Sequence, residues 1–302
     1  MPRTSSRRTD VDVTPVKTGA QKKNWVPAFA GMTAVVFTGV TAICLVLSSC
    51  NWKMKPTYPA NQIAENLRKM CSHDYRLSIE ARQSDKALQA VVWKVGLFNN
   101  RNYDLQGMRK EAADTMEHVF LCATRIALST DASLDFIEVK MADVLTGSTI
   151  TLWRYVPDIR DSMYQRIGDT EYFNRLVIEV DAGNRNDGSI AKRLAARAPF
   201  QGMNWDKPLT LSEFLAKQII SRARRDGGET LQAHADLSQP STLAVVIDNW
   251  SSIEEEGPDH AAKVTDSVHK SAEQVLQGYR FHGFRGITLK DNEGTALGSW
   301  TL

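Results

Sequence analysis

The sequence predicts an α+β fold in which antiparallel hairpins are covered by helices. Three observations carry that expectation. Helical stripes and alternating strand runs follow one another in the order helix, strand, strand four times along the chain. Turn-forming residues separate the two strands of each pair. Each helix shows one apolar stripe and each hairpin one apolar side, so neither is stable until laid on the other. A single stripe per helix also argues against helices on both faces of a sheet.

In the first unit Ile63, Leu67, Met70 and Cys71 share one helical face. Tyr75, Leu77, Ile79 and Ala81 then alternate with polar residues, and Leu88 to Val95 makes a second strand beyond Ser84-Asp85-Lys86. The second unit places Ala112, Met116, Val119, Phe120 and Ala123 on its helical face. Its strands are Leu134 to Met141 and Thr149 to Tyr155, with a turn at Thr146-Gly147.

Thr210 and Glu213 open the third unit at capping-box spacing, and Leu209 is placed to staple onto Phe214. Leu211, Phe214, Leu215 and Ile219 form its stripe, and Gly227-Gly228 ends the helix. Thr230 to Ala235 and Leu243 to Ile247 are its strands, around Ser238-Gln239-Pro240. In the fourth unit Val264, Val268, Ala272, Val275 and Leu276 follow Gly257-Pro258-Asp259. Strands Ile287 to Lys290 and Thr295 to Trp300 are joined through Asp291-Asn292-Glu293-Gly294, where Asn and Gly tolerate positive φ.

The units start near 61, 108, 210 and 260. Two intervals are close to 50 residues and the middle one is about twice that, which reads as a repeat. The arrangement expected is a helix–hairpin pair over 60–155, an insertion over 156–206 and a second pair over 207–302. Only element order carries the repeat, because the units share no residue-level identity. In the insertion Asp169-Thr170-Glu171 is expected to cap a helix through Leu176, and Asp181 to Ser189 reads as a polar loop.

Ahead of the units the chain reads differently. Lys22 and Lys23 precede an uncharged run, Thr33 to Leu47, which ends in Leu47-Ser48-Ser49-Cys50. Basic, apolar, then small residues before a cleavage point is the grammar of an export signal. With cysteine at the first mature position, the segment resembles the lipobox signal peptide of bacterial lipoproteins. That resemblance implies cleavage before Cys50 and diacylglyceration of its thiol, with residues 1–49 removed. A membrane span needs about 20 apolar residues, and this run stops short before Asn51, Lys53 and Lys55. Residues 50–59 then read as a lipidated tether, with Pro56 and Pro59, spanning about 30 Å at most. The segment Val16 to Thr33 resembles the translation of a dispersed genomic repeat. It is either an insertion now serving as the basic region or a sign that the true start lies later, at Met32.

The leader holds six of the 37 basic residues and two of the 35 acidic ones, leaving 31 and 33 in the mature chain. That balance argues against a nucleic-acid partner, which needs clustered cations. Arg222, Arg224 and Arg225 do cluster, at a helix end where cations complement the dipole. Cys71 and Cys122 each fall late in a helix. They are candidates for a disulfide in an oxidising compartment and equally for buried free thiols.

Other chemistry is weakly signalled. Asp181 to Gly188 has a calcium-loop composition, but the EF-hand register puts Gly183 and Leu194 where carboxylates belong. Glu254-Glu255-Glu256 with Asp259 and His260 reads as a helix N-terminus. His118 and His269 read as surface residues. Ser267 and Lys270 have Ser-x-x-Lys spacing without a supporting motif. Four of the five tryptophans Trp93, Trp153, Trp205, Trp250 and Trp300 fall in or just after strands, where packing is their usual use. No catalytic, cofactor or metal residues are assigned. The function expected is that of a lipid-anchored envelope protein, facing the periplasm from the outer membrane where two membranes exist. Its partners would be the membrane, through the anchor, and an envelope component bound by the ectodomain. The alternative is an envelope hydrolase acting on peptidoglycan, glycan or peptide.

Overall fold

The computed structural model of the protein describes residues 57–99, 107–181, 205, 207–227, 231–239 and 241–301. The export signal, Cys50, Asn51 and the tether through Pro56 lie outside them, as do Gly183, Gly188 and Leu194 of the calcium-loop alignment. Helix α1 (Ile63–Tyr75) leads into strands β1 (Glu80–Ser84) and β2 (Ala87–Lys94). Helix α2 (Lys110–Ser129) leads into β3 (Phe136–Asp143) and β4 (Thr149–Tyr155). Two short helices, α3 (Val156–Met163) and α4 (Asp169–Asn174), precede β5 (Val177–Asp181). Helix α5 (Leu211–Gly227) comes before β6 (Ala233–Asp236) and β7 (Thr242–Ile247). Finally α6 (Trp250–Glu255) and α7 (Pro258–Tyr279) precede β8 (Gly286–Asp291) and β9 (Ala296–Thr301). The chain is α+β.

The pairs β1–β2, β3–β4, β6–β7 and β8–β9 are antiparallel. What joins them within a sheet is not. Strand β2 runs parallel to β3, from Ala87 opposite Phe136 to Lys94 opposite Asp143, and β7 runs parallel to β8. A helix connects the strands at each of these joints, and parallel neighbours need such a crossover. Both sheets, β1-β2-β3-β4-β5 and β6-β7-β8-β9, are therefore mixed.

Local chemistry sets the ends. Helix α1 continues through Tyr75, where the sequence suggested a strand. Arg76 then closes it at φ 56°, and the Leu77 N–H bonds the Cys71 carbonyl at 3.0 Å. Tyr75 stacks on His118 of α2 with centroids 4.1 Å apart, so a tertiary contact holds it in the helix. The capping box at α5 forms: the Glu213 N–H donates to Thr210 Oγ1 at 3.2 Å, and the Thr210 N–H donates to Glu213 Oε2 at 2.6 Å.

Two expectations are corrected. Strand β5 lies in the insertion, paired antiparallel with β4 from Trp153 opposite Val177 to Thr149 opposite Asp181. Trp250 comes three residues after β7, opens helix α6 and is buried in the second core. The Glu254–Glu256 cluster closes α6, and Gly257 at φ 113° turns the chain so that Pro258 starts α7.

Two cores result. Helices α1 and α2 cover one face of the first sheet through Leu67, Val119, Ala123 and Ile126, against Leu88, Ile137, Val139 and Leu152. The other core gathers α5 and α7 over the second sheet, at Leu243, Val245, Ile287 and Leu289. It also takes in Ala87, Phe136, Trp153 and Val177 from the opposite face of the first sheet. That sheet thus carries helices on both faces, against expectation. Phe214 of α5 makes the join, its ring centroid 5.3 Å from Phe136 and 6.1 Å from Tyr155.

Candidate functional site

The seam between the two sheets concentrates the buried charge. Asp158, on the first turn of α3, is 2 % exposed and accepts from Arg175 Nη1 at 2.8 Å. The hydroxyl of Tyr279, at the end of α7, donates to the other carboxylate oxygen and accepts from Gln218 Nε2 at 3.2 Å. Arg175 also donates through Nε to Glu171 at 2.9 Å, and Glu171 receives Arg222 of α5 at 3.2 Å. Arg222 donates in turn to Gln274 of α7 at 3.1 Å. Residues from α3, α4, α5 and α7 thus share one network.

Burial dominates its electrostatics. It pushes the carboxyl of Asp158 above its ordinary range, against the opposing hydrogen bonds from Tyr279 and Arg175. It also raises the phenol of Tyr279, with the Asp158 charge adding to the effect. Arg154, on the same face as Ile150 and Leu152, is 4 % exposed, and burial lowers its pKa. Its guanidinium lies 3.8 Å from the Tyr172 ring centroid and 5.4 Å from that of Phe120, a cation–π sandwich.

Beside α5 a cleft of about 450 Å³ opens over β4 and β5. Glu179 and Asp181 leave β5 on one face and line it with Trp153, Lys140, Lys207 and Lys217. Lys217 is paired with Glu179 and sits 5.1 Å from the Trp153 ring centroid. Arg224 donates to the carbonyls of Leu231 and Ala233 at 2.9 and 3.0 Å, holding α5 to the strand that follows. Farther along that sheet face, half-buried Arg82 donates to Gln89 at 2.7 Å and buried Gln89 donates to Glu138 at 2.8 Å, a polar row across three strands. Most of these groups are committed to partners inside the fold.

The residues weighed from sequence fall as follows. Arg222, Arg224 and Arg225 do more than complement a helix dipole, for each bonds a neighbouring segment, Arg225 to Asn174 at 2.9 Å. Ser267 Oγ donates to the Ala223 carbonyl at 3.2 Å, and Lys270 pairs with Asp266, so they form no dyad. His260 pairs with Glu256 at 3.4 Å, and His269 stacks on Trp300 at 4.7 Å. Cys71 and Cys122 are brought together in the first core, both buried and both free thiols. Among the described residues no group of three or more His, Cys, Asp or Glu could hold a metal ion. No described helix is long and apolar enough to cross a membrane.

Sequence reasoning missed Asp158, Glu171, Arg175 and Tyr279 as a unit. One signal was available: Arg154 is a charged residue on the apolar parity of Ile150 and Leu152. Comparison of the chain with family models, curated proteins and solved structures finds no match.

Proposed function

We propose that this chain is a lipid-anchored envelope protein whose α+β ectodomain is a binding or structural module. The observation that carries the reading is Leu47-Ser48-Ser49-Cys50 at the end of an apolar run behind basic residues. Asn51, after the acylated cysteine, supports the outer membrane in a two-membrane cell, because the lipoproteins it resembles use aspartate there for inner-membrane retention. A binding or structural role is supported by charges committed to internal partners. Met163 and Tyr164, at the end of α3, are the most exposed of the described large apolar residues, at 65 % and 71 %, and offer a contact surface.

The test is metabolic labelling with an alkynyl fatty acid. The wild-type chain takes up label and is processed, whereas Cys50→Ala accumulates as unlabelled precursor. Label retained by the variant refutes the anchor. One observation favours the hydrolase as a second reading: Glu179 and Asp181 both line the cleft beside Trp153. Release of soluble fragments from peptidoglycan by wild type, lost in Glu179→Gln, would establish it in place of the binding module.

A further inference from the structure

Helix α1 buries Ile63, Leu67 and Cys71 on one face, and α2 meets it with Val119, Cys122, Ala123 and Ile126. Cys71 and Cys122 lie in this same core, both buried. Two contacts cross between the same helices at this level. Arg125 pairs with Asp74 at 3.5 Å, and His118 stacks on Tyr75. The helix faces that carry the two cysteines are therefore held together by contacts that do not depend on the thiols.

We propose that Cys71 and Cys122 form a disulfide that ties α1 to α2 in the exported protein. The proposal rests on the envelope reading for its oxidant, which is the disulfide of a thiol–disulfide exchange protein. The Cys122 thiolate attacks one sulfur of that disulfide, forming a mixed disulfide and expelling the other sulfur as a thiolate. Cys71, once deprotonated, attacks the Cys122 sulfur and expels the second. The chain loses two protons and two electrons, and the oxidant leaves as a dithiol. With Cys71 0 % and Cys122 1 % exposed, the exchange takes place before α1 docks on α2. The bond closes a loop of about 50 residues, which lowers the unfolding equilibrium constant about a thousandfold.

The test begins with the full chain carrying Cys44→Ser and Cys50→Ser, purified reduced, unfolded in denaturant and refolded in the presence of oxidised glutathione, so that both thiols are accessible when the exchange takes place. The expected product has lost the mass of two hydrogens, resists alkylation in denaturant until reduced, and melts on the order of 10 °C higher. Two alkylatable thiols, or glutathione adducts alone, overturn the proposal. Adding Cys71→Ser and Cys122→Ser removes the effect of reductant on melting, and an effect that persists also overturns it. The wild-type chain is then alkylated directly from cells that incorporate the fatty-acid label. Acylated protein with both thiols free refutes the disulfide. Unacylated protein refutes the envelope reading, and the purified chain then decides the pairing by itself.

Discussion

Replacing Arg175 with alanine tests whether the buried network holds the two sheets together. Asp158 is 2 % exposed, and Arg175 is its only ion-pair partner among the described residues. Without Arg175 a carboxylate is left in the core with Tyr279 as its remaining donor. Removing one partner of a buried pair costs about 3–5 kcal/mol, because the other charge stays desolvated. The reverse substitution, Asp158→Asn, is milder, about 1–2 kcal/mol, since Arg175 keeps Glu171 at 2.9 Å and the Gly278 carbonyl at 3.4 Å. The double variant costs less than the sum, as it orphans no carboxylate. Urea unfolding followed by tryptophan fluorescence reads all three, since Trp153 and Trp250 are buried. Lys69→Ala is the control: its pair with Glu65 is 70 % and 55 % exposed, and such pairs contribute about 0–1 kcal/mol. A loss below about 1 kcal/mol for Arg175→Ala, or strict additivity in the cycle, refutes the reasoning.

Three further outcomes are expected. Burial raises the Asp158 carboxyl above its ordinary 3.8, so folding takes up protons there. The stability Asp158 contributes is full below that ordinary value and is lost as pH rises through the folded pKa. The advantage of wild type over Asp158→Asn in urea midpoint therefore shrinks with rising pH, and an advantage that grows contradicts it. Thr210→Ala removes one half of the capping box and lowers stability by about 1 kcal/mol, measured by urea midpoint; an unchanged midpoint argues against the cap. Phe214→Ala empties a 0 % exposed site between the sheets and costs about 3–5 kcal/mol, whereas a loss near that of Thr210→Ala would show that the site collapses.

The hairpins were legible because strand period and turn chemistry agree. Strand β4 spans the residues its alternation marks. The turn before β9 uses Asp291 Oδ1 to accept from the Glu293 and Thr295 N–H groups at 3.0 and 2.7 Å, with Gly294 at φ 90°. The parallel joints were not legible, since no local pattern states which strands of successive hairpins meet. Strand β5 was hidden by its length and by Glu179, which breaks the apolar run. The network was hidden for another reason: Asp158 and Tyr279 are 121 residues apart, and each reads as an ordinary polar residue beside its neighbours.

The error over helices on both sheet faces has a physical origin in α5. At 100° per residue, the buried Ile63, Leu67 and Cys71 of α1 span an arc of about 80°, fit for one neighbouring layer. The stripe assigned to α5 left out Ala216, Ile220 and Ala223. Together with Phe214, Leu215 and Ile219 these residues are all buried, and they span about 240° of the helix. An arc that wide cannot be covered by one sheet. It needs neighbours on two sides, here the second sheet with α7 on one and Phe136, Trp153 and Val177 of the first sheet on the other. Small apolar residues widen the buried arc as surely as large ones, because close approach of backbones is what permits a second layer. Had Ile220 and the two alanines been counted with the stripe, α5 would have stood out as the helix between the sheets.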